Sequence, residues 1–219
     1  MPFIDIEDVR VLVEPEEKYI QIDDIVERDI RRAWECIKSG YPGFTVDFCF
    51  HDTLAPIPFL KEIGAEVLED CITMRLGKED LIDMPVLKTE EISRENFAAF
   101  AALHDEKECD DGFWSSGKII EDFDNWKILA MFEQGKVTGY VTLRNGWEIY
   151  HLTGQSIEDR VSLLAAVVAS VAKTTLAAGK EIMFQVDRKD YLNLGAAMHT
   201  GFRKIGYYIG YRAVVKQDC

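Results

Sequence analysis

The sequence predicts a mixed α/β protein, and three observations support this fold class. Short apolar runs with strand-like alternation recur between amphipathic helical segments along the 219 residues. Three consecutive strand candidates are joined by the turn dipeptides Gln134-Gly135 and Asn145-Gly146, which is typical of antiparallel neighbours. A strand–helix–strand pattern occurs twice, at residues 46–76 and at residues 182–213.

The repeated pattern keeps a nearly constant spacing. Gly64 and Gly201, which end the two helices, are 137 residues apart, and so are Arg75 and Arg212 in the strands that follow. The two strands that precede these helices are offset by 136 residues. This spacing predicts a duplicated supersecondary unit.

The first half is predicted to hold strands at 19–22, 44–50 and 66–76 and helices at 24–38 and 57–63. Asp23 or Asp24 can cap the first helix, because a side-chain oxygen there can accept from a free amide of the first turn. The charged segment 77–85, which ends in Pro85, is the predicted linker. We therefore expect one unit at residues 1–80 and a second at residues 84–219.

The second half is predicted to follow the order β-α-α-β-β-β-α-β-α-β, at 86–89, 93–106, 118–124, 126–133, 136–144, 147–153, 156–178, 181–187, 190–200 and 202–215. Ser93 and Ser156 are the expected caps of two of these helices. Asp159 lies three residues after Ser156 and completes a capping-box pattern. Gly179 is expected to end the long helix.

The formal net charge is −14, of which −10 falls on residues 1–80. Such a balance argues against nonspecific binding of nucleic acid and favours small cationic substrates, although solubility alone also accounts for it. No window of about 18 uncharged apolar residues predicts a membrane span. The N-terminus has no basic and apolar leader pattern, so we expect a cytoplasmic protein.

The five cysteines are scattered and form no CxxC pair, so the sequence indicates neither a zinc site nor a redox motif; they are Cys36, Cys49, Cys71, Cys109 and Cys219. Reduced thiols in a cytoplasm are the simplest account. The first three lie in apolar segments and are expected in the core. Acidic neighbours disfavour the thiolate of Cys109, which is therefore not an expected nucleophile.

The second half resembles the GNAT superfamily of N-acetyltransferases, over roughly residues 84–219. Three stretches carry the resemblance: the hairpin 126–144 with Gly139-Tyr140-Val141, the strand 147–153 that leads into the helix from Ser156, and the strand–helix pair that ends in Thr200-Gly201-Phe202. Residues 17–76 resemble only the trailing part of such a domain. The resemblance implies an acyl-CoA N-acyltransferase-like mixed sheet flanked by helices, with a partial pseudo-repeat at the N-terminus.

The resemblance also implies acetyl-CoA as co-substrate. In the family, one strand parts from its neighbour and pairs with the pantetheine arm, and the next helix start holds the pyrophosphate. The corresponding residues here are Leu152, Thr153, Gly154, Gln155, Ser156, Ile157, Glu158, Asp159 and Arg160, with Asn193 as a further polar contact.

This helix start departs from the family pattern Gln/Arg-x-x-Gly-x-Gly/Ala, of which only Gln155 is kept. Glu158 and Arg160 occupy the two small-residue positions. Glu158 and Asp159 would repel phosphate, whereas Arg160 could pair with it. The alternative is that Ser156 to Asp159 form a helix cap and nothing more.

The family places a base on the strand that corresponds to 147–153. It often has a tyrosine before the Gly-Phe pair that acts as the acid and protonates the leaving thiolate. Glu148 and His151 are the candidate bases, and strict alternation would put them on opposite faces, with Tyr150 on the face of Glu148. Ala197 stands where the tyrosine is usual, and Tyr191 is the candidate acid in its place. Structural roles are the alternative for each of these side chains.

Together these features predict an N-acetyltransferase that moves the acetyl group of acetyl-CoA to a primary amine, on a small molecule or on a lysine side chain. One alternative is a non-catalytic module of the same fold that binds a ligand or a partner, which the lost glycines and the missing tyrosine favour. Another is an acyltransferase for a longer acyl-CoA. No metal is expected.

Overall fold

The structure is a computed structural model that describes residues 3–7, 9–52, 54–84, 88–107 and 114–216, and its architecture is mixed α/β. The strands are β1 (Phe3–Ile6), β2 (Val9–Glu14), β3 (Tyr19–Asp23), β4 (Thr45–His51), β5 (Glu66–Leu76), β6 (Glu90–Glu91), β7 (Trp126–Glu133), β8 (Lys136–Arg144), β9 (Glu148–Thr153), β10 (Ile182–Asp187) and β11 (Arg203–Val214). The α-helices are α1 (Glu27–Gly40), α2 (Ile57–Glu62), α3 (Phe97–Lys107), α4 (Ser116–Glu121), α5 (Ile157–Val171) and α6 (Tyr191–His199).

The chain forms two compact units. The first unit comprises Met1–Ile72 with Gly206–Cys219, and the second unit comprises Thr73–Ile205. These units do not follow the predicted boundary at residues 80–84, because β11 pairs antiparallel with β4 over seven residue pairs. That the two halves arose by duplication stays a prediction.

In the first unit the strand order is β1-β2-β3-β4-β11. The pair β3–β4 is parallel and the other pairs are antiparallel. Helix α1 buries one apolar stripe, which includes Ile30, Trp34 and Ile37, in a core shared with Phe48 of β4. Trp34 and Phe48 have ring centroids 5.9 Å apart.

Several predictions for the first half are confirmed, two strands were not predicted, and one predicted helix cap is wrong. Strands β3, β4 and β5 and both helices lie where they were expected. Strands β1 and β2 were missed, although Val9, Val11 and Val13 alternate with less buried residues. The predicted cap of α1 is wrong: Val26 is the N-cap and makes no side-chain bond, whereas a carboxylate oxygen of Asp24 accepts from the His51 backbone N–H at 2.6 Å.

In the second unit the strand order is β10-β9-β8-β7-β6, with β7, β8 and β9 antiparallel and β10 parallel to β9. Tyr140 of β8 lies in the core that α3 supplies with Phe97 and Phe100. A Cβ atom at Gly139 would lie 3.3 Å from Leu163 of α5. Because neighbouring residues of a strand face opposite sides, α3 and α5 cover opposite faces of this sheet.

The predicted meander 126–153 and the expected mixed sheet flanked by helices are confirmed. The predicted strand 86–89 falls partly on residues 85–87, which lie outside the described residues, and a two-residue strand follows at Glu90–Glu91. Helix α3 begins at Phe97, and Ser93 instead donates its backbone N–H to the Asn96 side chain. Helix α5 is regular to Val171 and continues as a π-helical segment to Leu176.

The described cysteines differ in burial. Cys49 and Cys71 are buried as expected, whereas Cys36 is only partly buried. Cys109 and Cys219 lie outside the described residues.

One ion pair joins β4 to β11 in the first unit. The Asp47 side chain accepts from Nε and Nη2 of Arg212 at 2.7 and 2.8 Å and from the Tyr19 hydroxyl at 3.0 Å. Asp47 is only 4% exposed. Two parallel N–H donors on one buried carboxylate make a strong and directional contact.

Replacing Asp47 with Ala is expected to lower the free energy of unfolding by about 3 kcal/mol, because it leaves the Arg212 guanidinium without its main buried acceptor. Urea denaturation followed by circular dichroism measures this loss. Arg28→Ala, which removes an exposed partner of Asp29, is the control and should cost less than about 0.5 kcal/mol. Equal losses in the two variants would contradict the assigned role of Asp47.

Candidate functional site

A cleft of about 760 Å³ lies in the second unit, beside the C-terminal half of β9. Residues 150–155 line one part of it and residues 184–187 of β10 line another. The start of β8, the end of α3 and the first turn of α6 complete its walls. A concave site of this volume at the edge of a parting strand pair can accommodate a small-molecule ligand.

The cleft exists because β9 and β10 diverge after a short paired segment. They pair in parallel only at Glu148–Met183 and Ile149–Phe184, next to a hydrogen bond of 2.7 Å from the Met183 N–H to the Trp147 carbonyl. From Tyr150 onward, the described residues pair β9 with β8 alone. The parting that the family resemblance implies is therefore present, and it turns one backbone edge of β9 towards the cleft.

A β-bulge changes which side chains of β9 share a face. Thr142 pairs with His151 and Arg144 pairs with Glu148, so three residues of β8 lie opposite four residues of β9. The extra residue is Tyr150. Since Thr142 and Arg144 share one face of β8, Glu148 and His151 also share a face, and the prediction that they lie on opposite faces is wrong.

Glu148 and Tyr150 form a hydrogen-bonded pair. The Tyr150 hydroxyl donates to Oε2 of Glu148 at 2.9 Å. Burial raises the pKa of the Glu148 carboxyl, and the Tyr150 hydrogen bond and the Arg144 charge only partly oppose it. Burial, followed by the charge of Glu148, raises the pKa of Tyr150. Tyr150 lines the cleft and Glu148 does not, so this hydrogen bond connects Glu148 to a residue of the cleft wall.

His151 is held as a neutral imidazole. Its Nδ1 lies 3.0 Å from Oγ1 of Thr142, and the same oxygen accepts the His151 backbone N–H at 3.0 Å. Its ring stands edge-on to the buried His104 at 4.7 Å between centroids. Burial, with a contribution from His104, lowers the pKa of His151 to about 3. His151 is therefore uncharged at neutral pH.

His104 is a neighbour of the site that sequence reasoning missed. Its Nε2 lies 2.8 Å from the Trp114 carbonyl, which can only accept, so in the neutral ring Nε2 carries the proton. Its Nδ1, 2.9 Å away, then accepts from the Tyr140 hydroxyl. The contact joins residues 36 apart in the chain, so spacing alone could not have revealed it.

Arg160 closes the end of β9 against α6. Its Nε donates to the Gly154 carbonyl at 3.2 Å, and its Nη1 donates to Oδ1 of Asn193 at 2.7 Å and lies 3.5 Å from Oδ1 of Asp190. Nδ2 of Asn193 donates in turn to the Leu152 carbonyl at 3.1 Å. A Cβ at Gly154 would lie 3.0 Å from Cγ of Arg160, so this close packing depends on the glycine.

The predicted helix cap is present at the start of α5. Ser156 Oγ accepts from the Asp159 backbone N–H at 3.1 Å, and Oδ2 of Asp159 accepts from the Ser156 backbone N–H at 3.0 Å. This reciprocal pair is a capping box. It engages the backbone N–H of Asp159 in the first turn and one carboxylate oxygen of the same residue.

The predicted site residues divide into two groups. The cleft is lined by seven of them, namely His151, Leu152, Thr153, Gly154, Gln155, Arg160 and Asn193. Those that do not line it are Glu148, Ser156, Ile157, Glu158, Asp159 and Tyr191. Tyr191 is 77% exposed at the start of α6, and the structure does not bring it to the cleft. The chemical roles of all these residues stay predictions.

No family model and no curated protein sequence matches this chain. Solved structures do match its fold. A GCN5-related N-acetyltransferase from Kribbella flavida aligns with a TM-score of 0.65 over 97% of this chain and 89% of its own, at 10% identity. A conserved protein of unknown function from Staphylococcus epidermidis aligns with a TM-score of 0.65 over 94% and 90% of the two chains, at 12% identity.

A tandem GNAT protein of the clavulanic acid biosynthesis pathway, solved without AcCoA, aligns with a TM-score of 0.59 over 96% of this chain and 79% of its own, at 11% identity. These likenesses establish a GNAT fold for the chain. At such identities they concern the fold alone. Among the described residues, no helix combines the length and the apolar content that crossing a membrane requires.

His151 should make stability depend on pH. Because its pKa in the folded state lies below the unfolded value of about 6.5, its contribution is complete above pH ~6.5 and is lost as the pH falls towards 3. His151→Asn should remove up to about 1.4 kcal/mol per pH unit from the acid slope of the unfolding free energy. Urea melts between pH 7 and pH 4.5 measure this difference.

The acid slope of the wild type is compared with that of His151→Asn, because the raised pKa of Glu148 contributes a slope of opposite sign that is present in both proteins and cancels in the difference. His199→Asn, which removes an exposed imidazole at the end of α6, is the control. An NMR titration in which His151 protonates near pH 6.5 would contradict the assignment.

Asn193→Ala should destabilise the second unit, because the Leu152 carbonyl and the Arg160 guanidinium each lose a buried partner. The expected loss is about 2 kcal/mol of unfolding free energy. Leu192→Ala, at an exposed position of the same helix, should change it by less than about 0.5 kcal/mol. Similar values for both variants would show that the Asn193 contacts contribute nothing.

Proposed function

We propose that this protein is a cytoplasmic N-acetyltransferase that transfers the acetyl group of acetyl-CoA to a primary amine. One observation carries the proposal: beside the parting of β9 and β10, Tyr150 and His151 line one cleft, and the Tyr150 hydroxyl donates to the Glu148 carboxylate. The fold supports it, since related folds include GCN5-related N-acetyltransferases. One neighbour is described with reference to AcCoA.

Of the two candidate bases, Glu148 fits the task better. A base must accept a proton from an ammonium group near neutral pH, and a carboxylate whose pKa burial has raised is suited to this. His151 is held neutral with a pKa lowered to about 3, which makes it a weak proton acceptor. We assign His151 to positioning in the cleft.

The proposed reaction is a direct transfer. The Tyr150 hydroxyl passes its proton to Glu148 and takes one from the acceptor ammonium, which leaves a neutral amine. The amine nitrogen attacks the thioester carbonyl carbon, a C–N bond forms, and the C–S bond breaks. The CoA sulfur leaves as a thiolate and takes the second proton that the attacking nitrogen gives up, so the products are an N-acetyl amine and free CoA thiol. Glu148 then releases the first proton to water.

The backbone of β9 would assist this step. The edge of β9 that β10 leaves open after Phe184 presents its backbone groups to the cleft. An N–H group there would polarise the thioester carbonyl as negative charge develops on its oxygen. The acidic charge balance and Glu148 favour a cationic acceptor, either a small molecule or a lysine side chain.

The test combines binding with turnover. Purified protein is titrated calorimetrically with acetyl-CoA and with desulfo-CoA, and thiol release is followed with a panel of alkyl amines, amino acids and lysine peptides. Glu148→Gln and Tyr150→Phe should each lower kcat/KM by about 10²- to 10⁴-fold while desulfo-CoA still binds. Lys173→Gln, at an exposed position of the π-helical segment that follows α5 and outside the cleft, should keep the wild-type rate.

Two results would overturn the proposal. Binding of acetyl-CoA without thiol release for any amine would leave a non-catalytic ligand-binding module. Absence of acetyl-CoA binding at high protein concentration would remove the co-substrate altogether.

A further inference from the structure

We infer that Lys136 and Lys107 hold the phosphate groups of CoA, in place of the helix start that follows β9. This inference rests on the proposed function, and it concerns which residues supply positive charge to an anionic co-substrate. Both lysines line the same cleft as the open edge of β9. Lys136 is the first residue of β8 and Lys107 is the last residue of α3.

The start of α5 is poorly suited to this task. Its first turn carries Glu158 and Asp159, whose negative charges interact favourably with the helix dipole and would repel a bound anion. Asp159 also closes the capping box and occupies one amide of that turn with Ser156. A phosphate placed there would meet two negative charges and would compete with an existing hydrogen bond.

Arg160 does not offset these charges, because its guanidinium is already in use. It donates to the Gly154 carbonyl and to Asn193, and it lies 3.5 Å from Asp190. Its side chain is 15% exposed, so these partners are partly shielded from water. Recruiting Arg160 for a phosphate would break contacts that hold the end of β9 against α6.

The two lysines, unlike Arg160, have no strong partner among the described residues. Lys136 is exposed and forms no ion pair with any other residue that the structure describes. Lys107 pairs with its neighbour Glu106 at 3.3 Å, with side chains 49% and 68% exposed, and such a pair is weak and easily exchanged. Both ammonium groups can therefore turn to a ligand at little cost.

The charges around the cleft favour the same placement. Asp187 and Asp190 line it from β10 and α6, so an anion is disfavoured on that side. Lys136 and Lys107 line it from β8 and α3. The pyrophosphate is thus expected beside the first residues of β8, close to the end of β9.

The experiment compares CoA with pantetheine, which lacks the phosphates, by titration calorimetry at low and moderate salt. Lys136→Gln and Lys107→Gln should each raise the Kd for CoA about fivefold, and the double variant should raise it tenfold or more. The Kd for pantetheine should stay unchanged in all three. The difference for CoA should shrink as salt rises, because exposed charges are screened.

Lys173→Gln is the matched control, since it removes an exposed lysine outside the cleft. Unchanged CoA affinity in the double variant, with CoA binding by the wild type intact, would overturn this inference and leave the proposed function standing. A larger loss of CoA affinity for Arg160→Gln than for the double lysine variant, with the Kd for pantetheine unchanged in both, would overturn it as well. Failure of the wild-type protein to bind CoA would overturn the proposed function together with this inference.

Discussion

The site depends on one inserted residue in β9. Without Tyr150 as the extra member of the β8–β9 ladder, Glu148 and His151 would face opposite sides of the sheet. With it, Glu148 and His151 share a face, and Glu148 is hydrogen-bonded to Tyr150, which lines the same cleft as His151. The bulge lies directly after the two residue pairs that join β9 to β10, so the strands part beside Tyr150.

Local signals in the sequence predict local structure well. Asn145-Gly146 and Gln134-Gly135 set the two turns of the meander, and Ser156 with Asp159 set the start of α5, because each feature depends on residues a few positions apart. The bulge could not be predicted this way. Alternation in a single strand says nothing about how many residues its partner spans, and β9 shows no unusual residue at Tyr150.

The contacts that define the site are mostly long-range, which is why its electrostatics were not foreseen. Arg160 donates to Asn193, 33 residues further along the chain, and its sequence neighbours give no sign of this contact. The solution pKa of histidine made His151 a candidate base, whereas burial, together with the neighbouring His104, lowers its pKa to about 3 in the folded protein. The Glu148–Tyr150 pair, two residues apart, was within reach of sequence reasoning as a Glu-x-Tyr strand pattern.

The pairing of β4 with β11 has a consequence for biosynthesis. Arg212 meets Asp47 across 165 residues of chain, so β4 leaves the ribosome on the order of ten seconds before its partner strand exists. During that interval, β4 presents an open edge that could recruit strands of other nascent chains. Asp47 makes such pairing unfavourable: until Arg212 is synthesised, its carboxylate has the Tyr19 hydroxyl as a partner but no positive charge, so pairing with a foreign strand would bury a charge without its counter-ion.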